Sequence, residues 1–305
     1  MAKSRIVFFG TRIWELTSKH LNMFLEKDAN IVAFVEASKK NISTTVTKED
    51  PYENITEVGA RLNIPIFAAE NMTDSLLIKF LKEFKADVFI VCGFQFYFPE
   101  EVLNIPKLGV LNFHSSILPR HAGMHPGFFT IYYGDKESGM AIHYMDSSID
   151  AGDIAYQSVV PVYKGDDIAS LYDRIWNSSE TLIDRLLIDL DKKALPRIPQ
   201  DMKQYFYNYE ISVEDYKLDF RIEAEILFNR VSMMPGKFYF KFDNIKYFVQ
   251  KCEEIKQPLT DRFYSLREPF IYKDKLTFIT PKNYLQINEI IKEGKTLNPL
   301  SIIHI

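Results

Sequence analysis

Asn112 and His114 stand two residues apart at the end of an apolar run, in GVLNFHSSILPRHAGMHPG (109–127). Alternate residues of a strand share a face, so the two side chains point the same way. Further on, GMAIHYMDSSIDAGDI (139–154) places His143 at the end of another apolar run. Asp146 and Asp150 bracket the loop that follows, which Gly152 closes. The chemistry these types can do together is specific. Asn112 offers a neutral amide donor, and His114 an imidazole that acts as cationic donor or base near neutrality. Asp150 can hold that imidazole protonated or take a proton itself. An amide, an imidazolium and a carboxylate suit attack of an amine on an acyl carbon, two groups stabilising an oxyanion and the third handling the proton. No Ser or Cys nucleophile stands beside a paired base, which favours direct transfer over an acyl-enzyme.

Other chemistries lose their support. The turn FFGTRIW after the first apolar run has one glycine, so it is neither a dinucleotide fingerprint nor a P-loop. There is no GxSxG, CxxC or HExxH, and no metal is expected. His121 and His125 are four apart, but Gly123 and Pro126 argue against a shared helical face. Cys92 reads as a small buried hydrophobe, Trp14 and Trp176 as core anchors.

These groups need a scaffold. Ile6–Phe9, Ile31–Val35, Val88–Val91 and 109–113 read as strands. Helical spacing covers 13–25, 53–62, a run to Phe84 that Asp74 can cap, and one long helix over 167–192. Continuous apolar strands alternating with helices predict a parallel sheet covered on both faces, a Rossmann-like α/β fold whose ligands bind at the carboxyl ends of the strands. Residues 37–53 read as a polar surface loop. Past the proline-bearing stretch ALPRIPQD (194–201), residues 219–231 read as a helix. Phe238, Phe240 and Phe242 then alternate with Lys237, Tyr239 and Lys241. Asp243-Asn244 can turn the chain into Ile245–Val249, and Thr277–Ile279 and Tyr284–Ile287 read as further strands. Two domains are expected: a catalytic domain over 1–200, and a linker helix with a small β-rich, OB-like domain over 201–305.

Composition bounds the partners. Apolar residues make up 47% of the 305 and charged residues 26%, enough to bury a core and exclude a disordered chain. The net charge of −4 opposes wholesale polyanion binding. Two cysteines exclude a disulfide scaffold. The apolar run before Gly10 is too short for a signal peptide and no stretch is long enough to span a bilayer, so a soluble cytoplasmic protein is expected.

The order Asn-x-His, Ser-x-Leu-Pro, glycine loop and Asp-x-Gly-Asp resembles the folate-dependent formyltransferases. That family includes the glycinamide ribonucleotide, methionyl-tRNA and sugar N-formyltransferases. IVFFGT near the start and KLGVLNFHSSILP strengthen the likeness, which covers residues 4–200 and continues more weakly through LDFRIEAEILFNRVSMMPGKFYF. The resemblance implies that Asn112, His114 and Asp150 are the catalytic trio and that N10-formyltetrahydrofolate is the donor. Its pteridine would lie against Phe96, Tyr97 and Phe98, the turn Ser116, Ile117, Leu118 and Pro119, and the loop Asp146, Ser147, Ser148 and Ile149. One departure stands out: the Arg usual in the loop after Leu-Pro is Ala122 here.

Three features lean toward a small amine acceptor, an amino sugar carried on a nucleotide. The resemblance makes a histidine at 143 usual in the sugar and glycinamide ribonucleotide enzymes and unusual in the tRNA enzymes. Loop 37–53 has three Lys but none of the glycines of the tRNA-gripping insertion. The net charge supplies little for phosphate neutralisation. Methionyl-tRNA is the alternative acceptor, so tRNA is a disfavoured partner. A non-catalytic folate- or nucleotide-binding regulator is the rival of another class, and a formyl hydrolase a further one. A membrane partner is not expected, and a homodimer is left open.

Overall fold

The computed structural model of the protein describes residues 3–12, 14–37, 51–256 and 269–302. Most of the expected loop 37–53, with the inference drawn from it about the acceptor, lies outside these residues. The chain divides into two compact units. One comprises 1–126, 137–160 and 172–209; the other comprises 127–136, 161–171 and 210–305.

The first unit is built on a seven-stranded sheet. β1 (Ile6–Gly10), β2 (Ile31–Ala37), β3 (Ile66–Ala69), β4 (Val88–Cys92) and β5 (Val110–His114) run in the order β3-β2-β1-β4-β5, all parallel. Strands Ala141–Tyr144 and Ile154–Gln157 extend it antiparallel beyond β5. β1 and β4 are buried along their whole length, as strands covered on both faces must be. Phe9 of β1 packs its ring against Phe89, Phe94 and Phe98, with centroids 5.2–5.4 Å away. Each such ring contributes about 1.5–3 kcal/mol by leaving water. The order reverses between β1 and β4, so a crevice is expected outside the carboxyl ends of these central strands.

Local signals set the helix ends. Asn54 caps Ile55–Leu62 through Thr56 and Glu57, whose carboxylate returns to the Asn54 N–H. Asp74 caps Ser75–Glu83. The expected helix 167–192 is instead two, Ile168–Asn177 and Ser179–Lys192. At the break, the Ser178 hydroxyl hydrogen-bonds the Ile175 carbonyl and the Ser158 hydroxyl, each at 2.6 Å, while its N–H still meets the Arg174 carbonyl at 3.2 Å.

The second unit carries an antiparallel sheet. Strands Tyr239–Phe242 and Ile245–Ile255 form a hairpin whose central residues, Asp243 and Asn244, both have positive φ, as a twisted two-residue turn requires. Strands Tyr284–Lys292, Lys275–Ile279 and Phe270–Tyr272 follow across the sheet. The helix expected over 219–231 runs Ala224–Met233, because Asp219 accepts from the Arg221 backbone and side chain and holds those residues in a turn. Tyr239 is buried, and the Lys246 ammonium lies 4.4 Å from its ring centre. Among the described residues, no helix is long and apolar enough to cross a membrane.

Candidate active site

β5 and its antiparallel neighbour bring the first groups together by register. Asn112 pairs directly with His143, and the Asn112 Nδ2 lies 3.1 Å from His143 Nε2. His143 Nδ1 donates to the Tyr144 carbonyl at 2.9 Å, which leaves Nε2 facing the site. His114, the last residue of β5, is buried. Its Nε2 donates to the His121 carbonyl at 2.7 Å, which turns Nδ1 toward Asp150.

Asp150 is the hub. Its Oδ2 accepts from the Gly123 N–H at 2.8 Å and lies 3.5 Å from His114 Nδ1. Its Oδ1 lies 3.3 Å from His143 Nε2 and 3.4 Å from Asn112 Nδ2. Burial pushes its carboxyl up, but His114, His143 and the Gly123 N–H outweigh burial and hold it well below the usual carboxylate range. Asp150 is also a non-glycine residue with a left-handed backbone, at φ 48°.

That depressed carboxyl stabilises the fold at neutral pH. The contribution is present above the ordinary carboxyl pKa, begins to go below about pH 4, and is lost as Asp150 takes up its proton. The melting temperature of the wild-type chain should therefore fall more steeply with acid than that of Asp150→Asn. Parallel acid profiles for the two proteins would contradict it.

The trio opens on a cavity of about 470 Å³ at the carboxyl ends of β4 and β5. Asn112, His114 and Asp150 all line it. So do Phe96, Tyr97 and Phe98 from the loop after β4, and Asp146, Ser148 and Ile149 from the loop before Asp150. Phe98 is almost wholly committed to the core against Phe9, whereas Tyr97 is largely exposed at the rim. Ser147 lines a neighbouring cavity of about 750 Å³, which shares the walls Tyr97, Met145 and Asp146. There the Arg197 guanidinium lies 3.6 Å from the ring centre of Tyr144.

The structure does not bring Ser116, Ile117, Leu118 and Pro119 to either cavity. The Ser116 hydroxyl turns back to the Arg120 carbonyl at 2.9 Å, and Leu118 packs against Ala122 and Ala141. This turn leads into β6 (Arg120–Gly123), whose His121 carbonyl and Gly123 N–H hold His114 and Asp150. Ala122 is fully buried in the same small cluster.

Sequence reasoning missed part of the cavity wall. Trp14, expected as a core anchor, is half-buried and lines the cavity. A Cβ on Gly93 would lie 2.8 Å from its indole, so the glycine lets the ring sit against the loop after β4. Trp176 is buried, stacks on Tyr172 at 5.2 Å and donates to the Ser115 hydroxyl at 3.1 Å, yet it and Tyr172 also line the cavity. The position of Trp14 just beyond the first strand was the available signal. Among the described residues, no Lys or Arg lines this cavity. No group of residues suited to a metal ion occurs among the described residues.

A paired amide and imidazole facing a buried carboxylate, at the strand ends of such a sheet, offers hydrogen-bond donors and a base in one place. The chain belongs to the formyl transferase family, whose sequence model matches residues 4–187. It is 30% identical over 261 residues to the methionyl-tRNA formyltransferase of Fusobacterium nucleatum subsp. nucleatum, covering 86% of this chain and 82% of that one. The Malacoplasma penetrans enzyme of the same name is also 30% identical, over 77% and 73% of the two chains. In fold, the chain is similar to WlaRD, a sugar 3N-formyl transferase crystallised in the presence of dTDP and 5-N-formyl-THF. The TM-score is 0.64 at 16% identity, covering 94% of this chain and 98% of that one. HypX from Aquifex aeolicus, in complex with tetrahydrofolic acid, matches at a TM-score of 0.59 and 14% identity. That match covers 99% of this chain, which spans only 47% of HypX.

Proposed function

We propose that this chain transfers the formyl group of N10-formyltetrahydrofolate to a primary amine, with Asn112, His114 and Asp150 as the catalytic groups. The observation that carries the reading is the convergence of Asn112 Nδ2 and His114 Nδ1 on the Asp150 carboxylate at the mouth of one cavity. The amine attacks the formyl carbon. The developing oxyanion takes hydrogen bonds from the Asn112 amide and from the His114 Nδ1–H, which it shares with the Asp150 carboxylate 3.5 Å away. The Asp150 carboxylate, which faces His114 Nδ1, accepts the proton the attacking nitrogen sheds. That proton passes to N10 as the carbon–N10 bond breaks, leaving a formamide and tetrahydrofolate. The donor's heterocycle lies between the loops 96–98 and 146–150, both of which line the cavity.

The favoured acceptor is an amino group of a nucleotide-linked amino sugar. Supporting it are the net charge of −4 and His143, whose Nε2 touches both Asn112 and Asp150. Methionyl-tRNA is the second candidate. A cavity whose described wall has no Lys or Arg and includes Trp14 and Tyr172 suits an apolar aminoacyl group, and the curated relatives carry that name.

The test is tetrahydrofolate release from N10-formyltetrahydrofolate with a panel of nucleotide-linked amino sugars, charged methionyl-tRNA and a blank without amine. Turnover on one sugar is the expected result. Turnover on the tRNA alone replaces the acceptor and keeps the chemistry, and equal release in the blank replaces transfer by hydrolysis.

A further inference from the structure

The stretch that sequence reasoning treated as a boundary between domains does structural work at the site. Residues 198–208 run across the first unit as a strap. Ile198 exchanges two backbone hydrogen bonds with Ile154, at 2.8 and 3.0 Å. The strap then reaches the loop that carries Asp150. Both protons of the Gln200 amide are used there, one on the Asp150 carbonyl at 2.9 Å and the other on the Gly152 carbonyl at 2.7 Å. The Tyr205 hydroxyl donates to the Ile149 carbonyl at 2.8 Å. Two side chains from one segment therefore fix the carbonyls of residues 149, 150 and 152.

The strap also holds the opposite wall. Strand Phe206–Asn208 pairs in parallel with β6, and the Met124 N–H donates to the Asn208 carbonyl at 3.2 Å. The Arg120 guanidinium lies 5.3 Å from the Phe206 ring centre. β6 supplies the carbonyl that orients His114 and the N–H that holds Asp150. One segment thus ties together the two loops whose separation sets the distance from His114 to Asp150.

Asp150 needs this support. Its left-handed backbone is unfavourable for a residue with a Cβ and persists only where its surroundings over-determine it. We infer that Gln200 and Tyr205 are positioning residues for formyl transfer, holding the Asp150 loop so that its carboxylate faces His114 and Asn112. The inference rests on the catalytic role proposed above for Asp150. Neither residue lines the cavity of about 470 Å³, so neither is expected to bind the acceptor or the donor there.

The experiment compares kcat and KM for the whole chain and four variants: Gln200→Glu, Tyr205→Phe, Gln204→Ala and Asp150→Asn. Gln200→Glu keeps the shape and removes both donated protons. Tyr205→Phe removes one donor and keeps the ring packed near Leu118 and Ala122. The Gln204 amide donates to Asp201 within the strap, so Gln204→Ala controls for disturbing the segment itself. The expected result is a fall in kcat of about 10- to 100-fold for Gln200→Glu and a smaller fall for Tyr205→Phe. KM for donor and acceptor stays within about threefold, since neither side chain touches substrate. Gln204→Ala matches wild type. Nitrogen-15 resonances of the His114 ring shift in Gln200→Glu as the carboxylate moves. Unchanged kcat in Gln200→Glu and Tyr205→Phe beside an inactive Asp150→Asn overturns the positioning role and leaves the catalytic role standing. A rise in KM at constant kcat also overturns it. Full activity in Asp150→Asn overturns the catalytic reading on which the inference stands.

Discussion

Asp150→Asn should lower kcat for formyl transfer by about a thousandfold while the chain stays folded. The substitution keeps the volume and can keep the 2.8 Å hydrogen bond from the Gly123 N–H through the amide oxygen. It removes the charge that faces His114 Nδ1 at 3.5 Å and the base that takes the amine proton. It also turns an acceptor into a donor next to Asn112 Nδ2 and His143 Nε2. Three partners that agree with a carboxylate thus disagree with an amide. The check is single-turnover kinetics with saturating donor, beside a thermal melt near neutral pH. Turnover within a factor of a few of wild type would remove Asp150 from the chemistry and leave its buried charge without a catalytic purpose.

Much of this site could be read in the chain because it rests on short-range geometry. Asn112 and His114 share a face by the two-residue period of a strand, and the apolar run before them marks that strand as buried. Asp150 was legible through the family resemblance, because no local pattern distinguishes it from Asp146 or Asp153. The Ser116–Pro119 turn was carried over as a cofactor wall, and it lines neither cavity. Apolar character alone does not tell a residue facing a cavity from one facing a core. The same ambiguity made Trp14, which lines the cavity, a core anchor. The contacts of Gln200 and Tyr205 reach back across some 50 residues of sequence to a loop with no periodicity, so no spacing rule finds them. The break at Ser178 was invisible for a related reason: its hydroxyl bonds to Ser158, a partner only the folded chain supplies.

Gly123→Ala should cost the chain both stability and catalysis, for one shared reason. Gly123 has φ 87°, a left-handed conformation that already costs an alanine about 1–3 kcal/mol. A Cβ there would also lie 2.5 Å from the Asn208 carbonyl oxygen and 2.5 Å from the Tyr207 ring. The carbonyl is backbone of the paired strand and cannot swing aside, so β6 and the strap must part. Parting them moves the Gly123 N–H away from Asp150 and the His121 carbonyl away from His114, and the loss of stability becomes a loss of catalysis. Gly165 is the control. Its φ is 82°, but the nearest atom to an added Cβ is 3.5 Å away, so Gly165→Ala carries the strain without the collision. Chemical denaturation should show Gly165→Ala less stable by about 1 kcal/mol, with kcat intact, and Gly123→Ala less stable by about 2–4 kcal/mol. In the folded fraction of Gly123→Ala, kcat should be down at least about a hundredfold. Equal stability losses in the two variants, or full kcat in Gly123→Ala, would mean that β6 does not transmit the position of the strap to Asp150 and His114.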